Sequence, residues 1–337
     1  MKPKHLIPIA FLSLLIALPV GLAKQDDPVT ASNYRLSGPY THKNLTVFLI
    51  HGKDQTNKTF LTLQEALAQK KVAVYETKDV NELAIRNLSN QDIYVQAGDI
   101  VRGGDQDRMI SIDFIVPPKS GRMPIAAFCV ESGRWNKRGK EENGSFASSE
   151  NAAPNGLKLA AKSEKSQQAV WDNVKVVQAS LSENVGASVN SSVSASSMEL
   201  SMEDSKVKET SAAYINTLSG LLQSRSDVIG YVLAINGKVT SADVYASHAL
   251  FAKLWPKLLK SNAVEAIAAL NDAEHKPVTS ETVQGFLAES EKATAEAKDV
   301  TPRVRMVTRE DDKTIFSETQ DRQQKDGYIH RNYIRKQ

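Results

Sequence analysis

Cysteine is almost missing from this chain. Cys129 is the one thiol in 337 residues, so no internal disulfide can form and the core must hold by packing alone. Aromatic residues make up 6% of the sequence, which argues against large aromatic stacking platforms. The histidines, His5, His42, His51, His248, His275 and His330, are scattered without ligand spacing, and no HExxH motif occurs. Asp105 and Asp107 alone do not make a calcium loop. No metal site and no cofactor are therefore expected. A Gly-x-Ser-x-Gly elbow is also missing; Leu218-Ser219-Gly220 lacks the flanking glycine. His51-Gly52 after an apolar run thus has nothing to complete a serine hydrolase. Nor is there an excess of one charge. The formal net charge is +3, and removing Lys2 and Lys4 with residues 1–23 leaves +1. That balance gives no general pull toward nucleic acid or anionic lipid.

What is present begins with a leader. Lys2, Lys4 and His5 precede an apolar run from Leu6 to Leu18, and Gly21-Leu22-Ala23 offers small residues for cleavage. The run is short for a spanning helix. Residues 1–23 read as a secretory signal peptide with a mature start near Lys24, and the rival reading is an uncleaved anchor. The expectation is an exported protein, periplasmic or secreted, with no membrane span after cleavage. Export makes nucleic acid an improbable partner. Three glycosylation sequons, beginning at Asn44, Asn57 and Asn87, are set aside because the leader has a bacterial look.

The mature chain reads as strands, then helices around one hairpin, then strands again. Arg35–Tyr40, Asn44–Ile50, Val72–Glu76 and Glu82–Asn87 have strand character. Thr62–Gln69 fits a short helix, with Thr62 and Glu65 at capping-box spacing. Ile93 to Trp135 holds three apolar runs separated by Gly103-Gly104, Pro117-Pro118 and Ser120-Gly121. Residues 136–155 read as a long surface loop, able to contact a protein partner. Leu157–Leu181 can be helical. Ser182–Ser205 reads as an exposed loop or a poorly ordered insert. Val207, Ser211, Tyr214, Leu218 and Leu221 mark an amphipathic helix. Asn236-Gly237 between Val228–Ile235 and Lys238–Ala246 is a strong hairpin signal, because both turn residues need positive φ. Ser247 caps a helix over His248–Lys260 that Pro256 should kink or restart. Ala263–Leu270 and Ser280–Ala297 read as further helices, and Arg303–Arg309, Thr314–Glu318 and Tyr328–Ile334 as charged edge-type strands. No βαβα rhythm exists, so the class is α+β with an antiparallel β-sandwich-like first half. Two lobes are expected, 24–155 and 156–337.

Candidate site residues cluster in the Ile93–Trp135 stretch. Two glycines at 103 and 104 permit close backbone approach, and Arg102 and Arg108 could fork onto a phosphate or carboxylate. Asp105 and Asp107 oppose that unless they pair with the arginines. Glu131, Arg134 and Trp135 could wall a polar ring, with Glu131 a general base if burial raised its pKa. The bland alternative is a tight turn and a structural ion pair. Neighbouring strands usually pack side by side, so the two patches are expected to converge. The ligand-binding set is Arg102, Gln106, Arg108, Glu131, Arg134 and Trp135, and the catalytic set is unknown. Cys129, among Ala127, Phe128 and Val130, reads as core rather than nucleophile.

Gly98-Asp99-Ile100-Val101-Arg102-Gly103-Gly104-Asp105-Gln106-Asp107-Arg108 and Cys129-Val130-Glu131-Ser132-Gly133-Arg134-Trp135 carry a resemblance. Gln168-Ala169-Val170-Trp171, the Asn236-Gly237 hairpin with Phe251–Leu258, and Ile329-His330-Arg331-Asn332-Tyr333 add to it. Together they resemble the ARG and Rhodanese-Phosphatase-superfamily-associated protein domain, from about Leu36 to the C-terminus. The resemblance implies ADP-ribose, nucleotide or phosphoester chemistry in its neighbourhood and supplies no catalytic residues. Two readings stand: a non-enzymatic ligand- or partner-binding envelope protein, and a hydrolase or transferase on a phosphate- or ADP-ribose-like ligand. In the second, Arg102, Gln106 and Arg108 hold the anion and Glu131 acts as base.

Overall fold

Alternating apolar residues at strand length recur from one end of the chain to the other. The computed structural model describes residues 34–134, 146–271, 273–324 and 327–336. β1 (Arg35–His42) and β2 (Leu45–His51) come first, then β3 (Leu61–Thr62), which leads into α1 (Leu63–Ala68). The capping box forms as its spacing demands: Thr62 Oγ1 accepts from Glu65 N–H, and Glu65 accepts from Thr62 N–H. A strand-rich run follows: β4 (Val72–Glu76), β5 (Glu82–Asn87), β6 (Ile93–Val95), β7 (Asp99–Gly103), β8 (Arg108–Ile110), β9 (Phe114–Val116) and β10 (Met123–Cys129). After β11 (Phe146–Ala152) come α2 (Asn155–Leu159), a π-helical turn at Ala160–Glu164, α3 (Gln167–Val185), α4 (Met198–Met202) and α5 (Ser205–Leu218). The hairpin β12 (Val228–Ile235) and β13 (Lys238–Tyr245) precedes α6 (His248–Ala268) and α7 (Ser280–Ser290). The chain closes with β14 (Ala295–Asp299), β15 (Val304–Glu310), β16 (Thr314–Asp321) and β17 (Tyr328–Arg335).

The strands form an eight-stranded sheet, β1-β2-β12-β13-β17-β16-β15-β14, a six-stranded sheet, β11-β7-β8-β10-β5-β4, and a three-stranded sheet, β3-β6-β9. Every pairing is antiparallel except β3 with β6. With 31% helix and 35% strand in this arrangement, the fold is α+β. Asn236 and Gly237 adopt φ of 51° and 69°, the turn that the hairpin reading required. The eight-stranded sheet joins β1 and β2 to strands that all lie beyond residue 156. A division at that point is therefore not a division between sheets.

Two helices cover that sheet from opposite sides. Tyr231, Leu233 and Ile235 of β12 pack with Phe251, Leu254, Trp255 and Leu258 of α6. Val232 and Ala234, on the other face, pack with Val283, Phe286 and Leu287 of α7. This is the two-residue period of a strand covered on both faces. The first of these cores runs on without a break into the six- and three-stranded sheets, through Ile85, Ile93, Ile100, Met109 and Ile115. Helix α6 passes through Pro256 instead of restarting there. One interior proline costs about 3 kcal/mol, and burial of Leu250, Phe251, Leu254, Trp255, Leu258 and Leu259 at roughly 2 kcal/mol each outweighs it.

Several elements depart from the pattern reading. Phe146–Ala152 is an edge strand, not loop; its polar sequence FASSENA hid it. The helix from Ser280 stops at Ser290, and Ala295–Asp299 is a fully exposed strand. The stretch Ser182–Ser205 is not an exposed insert: Val189, Ser197, Met198, Glu199, Ser201 and Met202 are buried, and α4 forms inside it.

Candidate functional site

The two patches from the Ile93–Trp135 stretch do meet. β8 and β10 pair so that Cys129 lies opposite Arg108. The Asp107 amide donates to Glu131 Oε2 at 3.2 Å, and the Val130 amide donates to the Asp107 carbonyl at 3.0 Å. Gly103 and Gly104 hold φ of 115° and 55°, and Asp107 Oδ1 closes their turn by accepting from Gly103 N–H at 2.9 Å. A Cβ on Gly104 would stand 2.4 Å from Phe146 Cζ and 2.5 Å from Glu76 Oε1. Glycine is needed there for conformation and for space.

What the patches build is a closed clasp. Arg134 Nε and Nη2 fork onto Glu131 at 2.8 and 2.7 Å. Its Nη1 donates to the Gly104 carbonyl at 3.1 Å, its Nη2 to the Gly103 carbonyl at 3.3 Å, and Asp107 Oδ1 lies 3.5 Å away. Burial pushes the Glu131 carboxyl up, but bonds from Arg134, Ser194 and the Asp107 amide together bring it below its ordinary value. That is the reverse of what a general base needs. Arg108 is buried as well, donating to the Val80 carbonyl and to Cys129 Sγ, both at 2.7 Å, and pairing with Glu76 at 3.2 Å. Burial pushes the Cys129 thiol up to about 11, so it stays a protonated core group. Arg102 is half-exposed and sits 3.6 Å from Glu203. Gln106 is fully buried, and neither its Oε1 nor its Nε2 has a hydrogen-bond partner among the described residues. Trp135 lies outside the described residues.

The Ser-rich segment is the missing third side of this clasp. Ser197 Oγ donates to Asp107 Oδ2 at 3.0 Å and, as the cap of α4, accepts from Leu200 N–H. The Met198 amide donates to the Val130 carbonyl at 3.1 Å, and the Ser132 amide to Ser196 Oγ at 3.0 Å. Gln178 of α3 donates to Ser201 Oγ at 2.8 Å. Glu199 is buried with Oε2 accepting from Ser149 Oγ and Oε1 unpartnered among the described residues. Burial first, and then the nearby charges of Glu203 and Asp107, push it up to about 8. Small hydroxyl side chains pack where larger polar ones would not, which explains a composition that otherwise suggests solvent. The one sequence signal was Ser197 standing directly before Met198 and Leu200, a helix N-cap pattern.

A second polar cluster lies in the core around His330, whose partners the sequence pattern does not mark. His330 Nδ1 is 2.7 Å from Asp113 Oδ2, and Nε2 is 2.9 Å from Asp243 Oδ1. Tyr245 stacks on the imidazole at 4.5 Å between centroids. Tyr231 donates to Asp243 at 2.7 Å, Thr319 to Asp113 at 2.9 Å, and Lys162 from the π-helical turn to Asn332 Oδ1 at 2.7 Å. Asn332 in turn donates to Asp243 at 2.8 Å. Burial pushes the two aspartates up, but the His330 bonds and charge outweigh it, holding Asp113 at about 2 and Asp243 well below the carboxylate range. Those two charges in turn raise His330 against the pull of its own burial, whereas burial dominates at Lys162 and lowers it. His330 is therefore an imidazolium fixed between two carboxylates. Both ring nitrogens are used, so it holds nothing else.

The open space is elsewhere. A groove of about 470 Å³ runs between the β1–β2 turn, the β12–β13 turn and the segment that follows α6. Lys43, Asn44, Asn271, His275 and Lys276 supply its polar wall, and Leu270, Pro277 and Val278 its apolar one. No carboxylate lines it among the described residues. The volume falls within the range of about 300–1,000 Å³ typical of small-molecule sites. Asn44 and Asn236 brace its floor: Asn44 Nδ2 donates to Asn236 Oδ1 at 3.0 Å and to the Ala266 carbonyl at 2.8 Å. Among the described residues, no group of three or more His, Cys, Asp or Glu side chains is arranged to hold a metal ion. No helix among them is long and apolar enough to cross a membrane.

No curated protein and no solved structure matches the chain. A scan against protein families matches residues 33–334, which covers all three sheets, the clasp, the His330 cluster and the groove. The chain belongs to the ARG and Rhodanese-Phosphatase-superfamily-associated Protein domain family.

Proposed function

We propose that this protein is a non-enzymatic binding protein of the cell envelope that takes a small anionic or polar ligand in the groove beside the β12–β13 turn. One contrast supports the reading. The charged groups that could do chemistry, Arg108, Glu131, Arg134, Asp113, Asp243 and His330, are buried or nearly so, and each is paired with an opposite charge inside the protein. The groove instead offers Lys43 and Lys276 on an open, braced wall with no described carboxylate to oppose them. Export through the leader at residues 1–23 is part of the same proposal.

A thermal-shift series with inorganic phosphate, ADP-ribose, nucleotides and acidic sugars tests it. A ligand bound only by the native state raises the melting point in proportion to ln(1 + [L]/Kd). At least one anion should raise the melting point of the native chain and leave that of a Lys43→Glu, Lys276→Glu double variant unmoved. Turnover of a phosphoester or ADP-ribosyl substrate, abolished by Arg108→Gln, would remove the reading. It would favour the hydrolase or transferase alternative. One observation speaks for that alternative: Glu199, pushed up to about 8, lies in the same buried cluster as Asp107, and carboxyls shifted so far gather at acid–base sites.

A further inference from the structure

The eight-stranded sheet has two edges, and the chain treats them differently. At the β1 edge the ladder with β2 is broken between Ser37 and Tyr40, where Pro39 follows Gly38. A bulge and a proline are the usual ways of blunting an edge against another strand, since proline has no N–H to offer. The β14 edge has neither device. Ala295–Asp299 pairs with β15 in unbroken register, from Ala295 opposite Arg309 to Asp299 opposite Arg305. No described strand pairs with its outer side, and all five of its residues are exposed.

Its charges carry the argument further. The strand reads Ala-Glu-Ala-Lys-Asp. Two copies laid antiparallel about a twofold axis through Ala297 bring Glu296 of one opposite Lys298 of the other, twice. Ala297 then meets Ala297, and Ala295 meets Asp299. No like charges face each other in this register, and Asp299 already pairs with Arg322 in its own chain at 3.0 Å. A shift by one residue loses both charge pairs, setting Glu296 against Asp299 in one direction and against Ala297 in the other, and a shift by two sets Lys298 against Lys298 or Glu296 against Glu296. A lone lysine on an edge repels most strands, but against a second copy of this strand it finds its counter-ion. Self-complementarity of this kind is what a twofold interface requires.

We infer that β14 is a self-association edge, through which two copies of this chain join their eight-stranded sheets into one continuous sheet. The contact is short and polar, so the association is weak and concentration-dependent.

Sedimentation equilibrium on the purified protein tests this. The native chain should move from monomer toward dimer as concentration rises. Glu296→Lys and Lys298→Glu each convert both cross-pairs into like-charge contacts and should weaken association by about tenfold or more. The Glu296→Lys, Lys298→Glu double variant restores opposite charges and should recover association to within about threefold of native. Both residues are exposed, and matching far-UV circular dichroism confirms an unchanged fold. A native chain that stays monomeric throughout would overturn the inference. So would single variants that associate as the native chain does, or a double variant that fails to recover.

Discussion

Glu199 shows how far a single buried carboxyl can shape the pH response of the molecule. Burial, Glu203 and Asp107 push it up to about 8 from an ordinary 4.5. Between those values the folded chain binds a proton that the unfolded chain releases. The group's contribution is therefore fully present below about pH 4.5 and is lost as pH rises toward about 8. Glutamine copies the shape of the protonated acid and can still accept from Ser149. Glu199→Gln should thus be more stable than native by on the order of a few kcal/mol at pH 8, with little difference at acid pH. Thermal melts across that range check it, and a variant less stable at pH 8 would refute the account. None of this was legible in sequence, because a glutamate among serines looks solvated. Arg134 and Glu131 were legible as a pair, and so was their approach to the Gly103–Arg108 turn. The sense of the pairing was not, since only coordinates show the guanidinium already filled by Glu131 and two carbonyls.

Among the elements, those with a strong local pattern came through. The Asn236-Gly237 hairpin, the Thr62 capping box and the stripe of α5 each rest on a backbone or periodicity rule that tertiary context reinforces. Elements without such a pattern did not. β11 is polar because it is an edge strand, and the serine content of 182–205 masked α4, whose hydroxyls bond inward. The role of α4 can be measured through its cap. Ser197→Ala removes the acceptor for Leu200 N–H and a donor to Asp107. The expected cost is about 1–3 kcal/mol in urea unfolding, with faster amide exchange across Met198–Met202. Ser197→Asp keeps a capping oxygen but sets a second carboxylate against Asp107. It should therefore be no better than alanine. A fully stable Ser197→Asp would mean that the hydroxyl serves only as a cap.

At the scale of the molecule, the question is whether the chain has two lobes or one body. Division near residue 156 was a reasonable reading of chain order, because the β-rich run ends there and the helices begin. Spatial order is different. β2 lies between β1 and β12, so a cut at that point exposes a strand edge buried in the intact chain. Asp113 would lose His330, Tyr245 would lose Gln96, and Asp99 would lose Lys257, a 2.6 Å pair. Each loss strands a buried polar or charged group, and breaking one buried pair costs about 3–5 kcal/mol. A domain's whole stability is only about 5–15 kcal/mol. Residues 34–155 expressed alone should therefore show no cooperative melt. The full chain should unfold in a single transition, with tryptophan fluorescence and far-UV circular dichroism coinciding. A 34–155 fragment that melts cooperatively, or two separated transitions in the full chain, would show that the His330 cluster is a contact between independent halves. The unbroken core from Leu45 to Ile329 argues for the opposite: the buried charges are cross-ties within one folding unit, set where the sheets and helices would otherwise slide on an apolar surface.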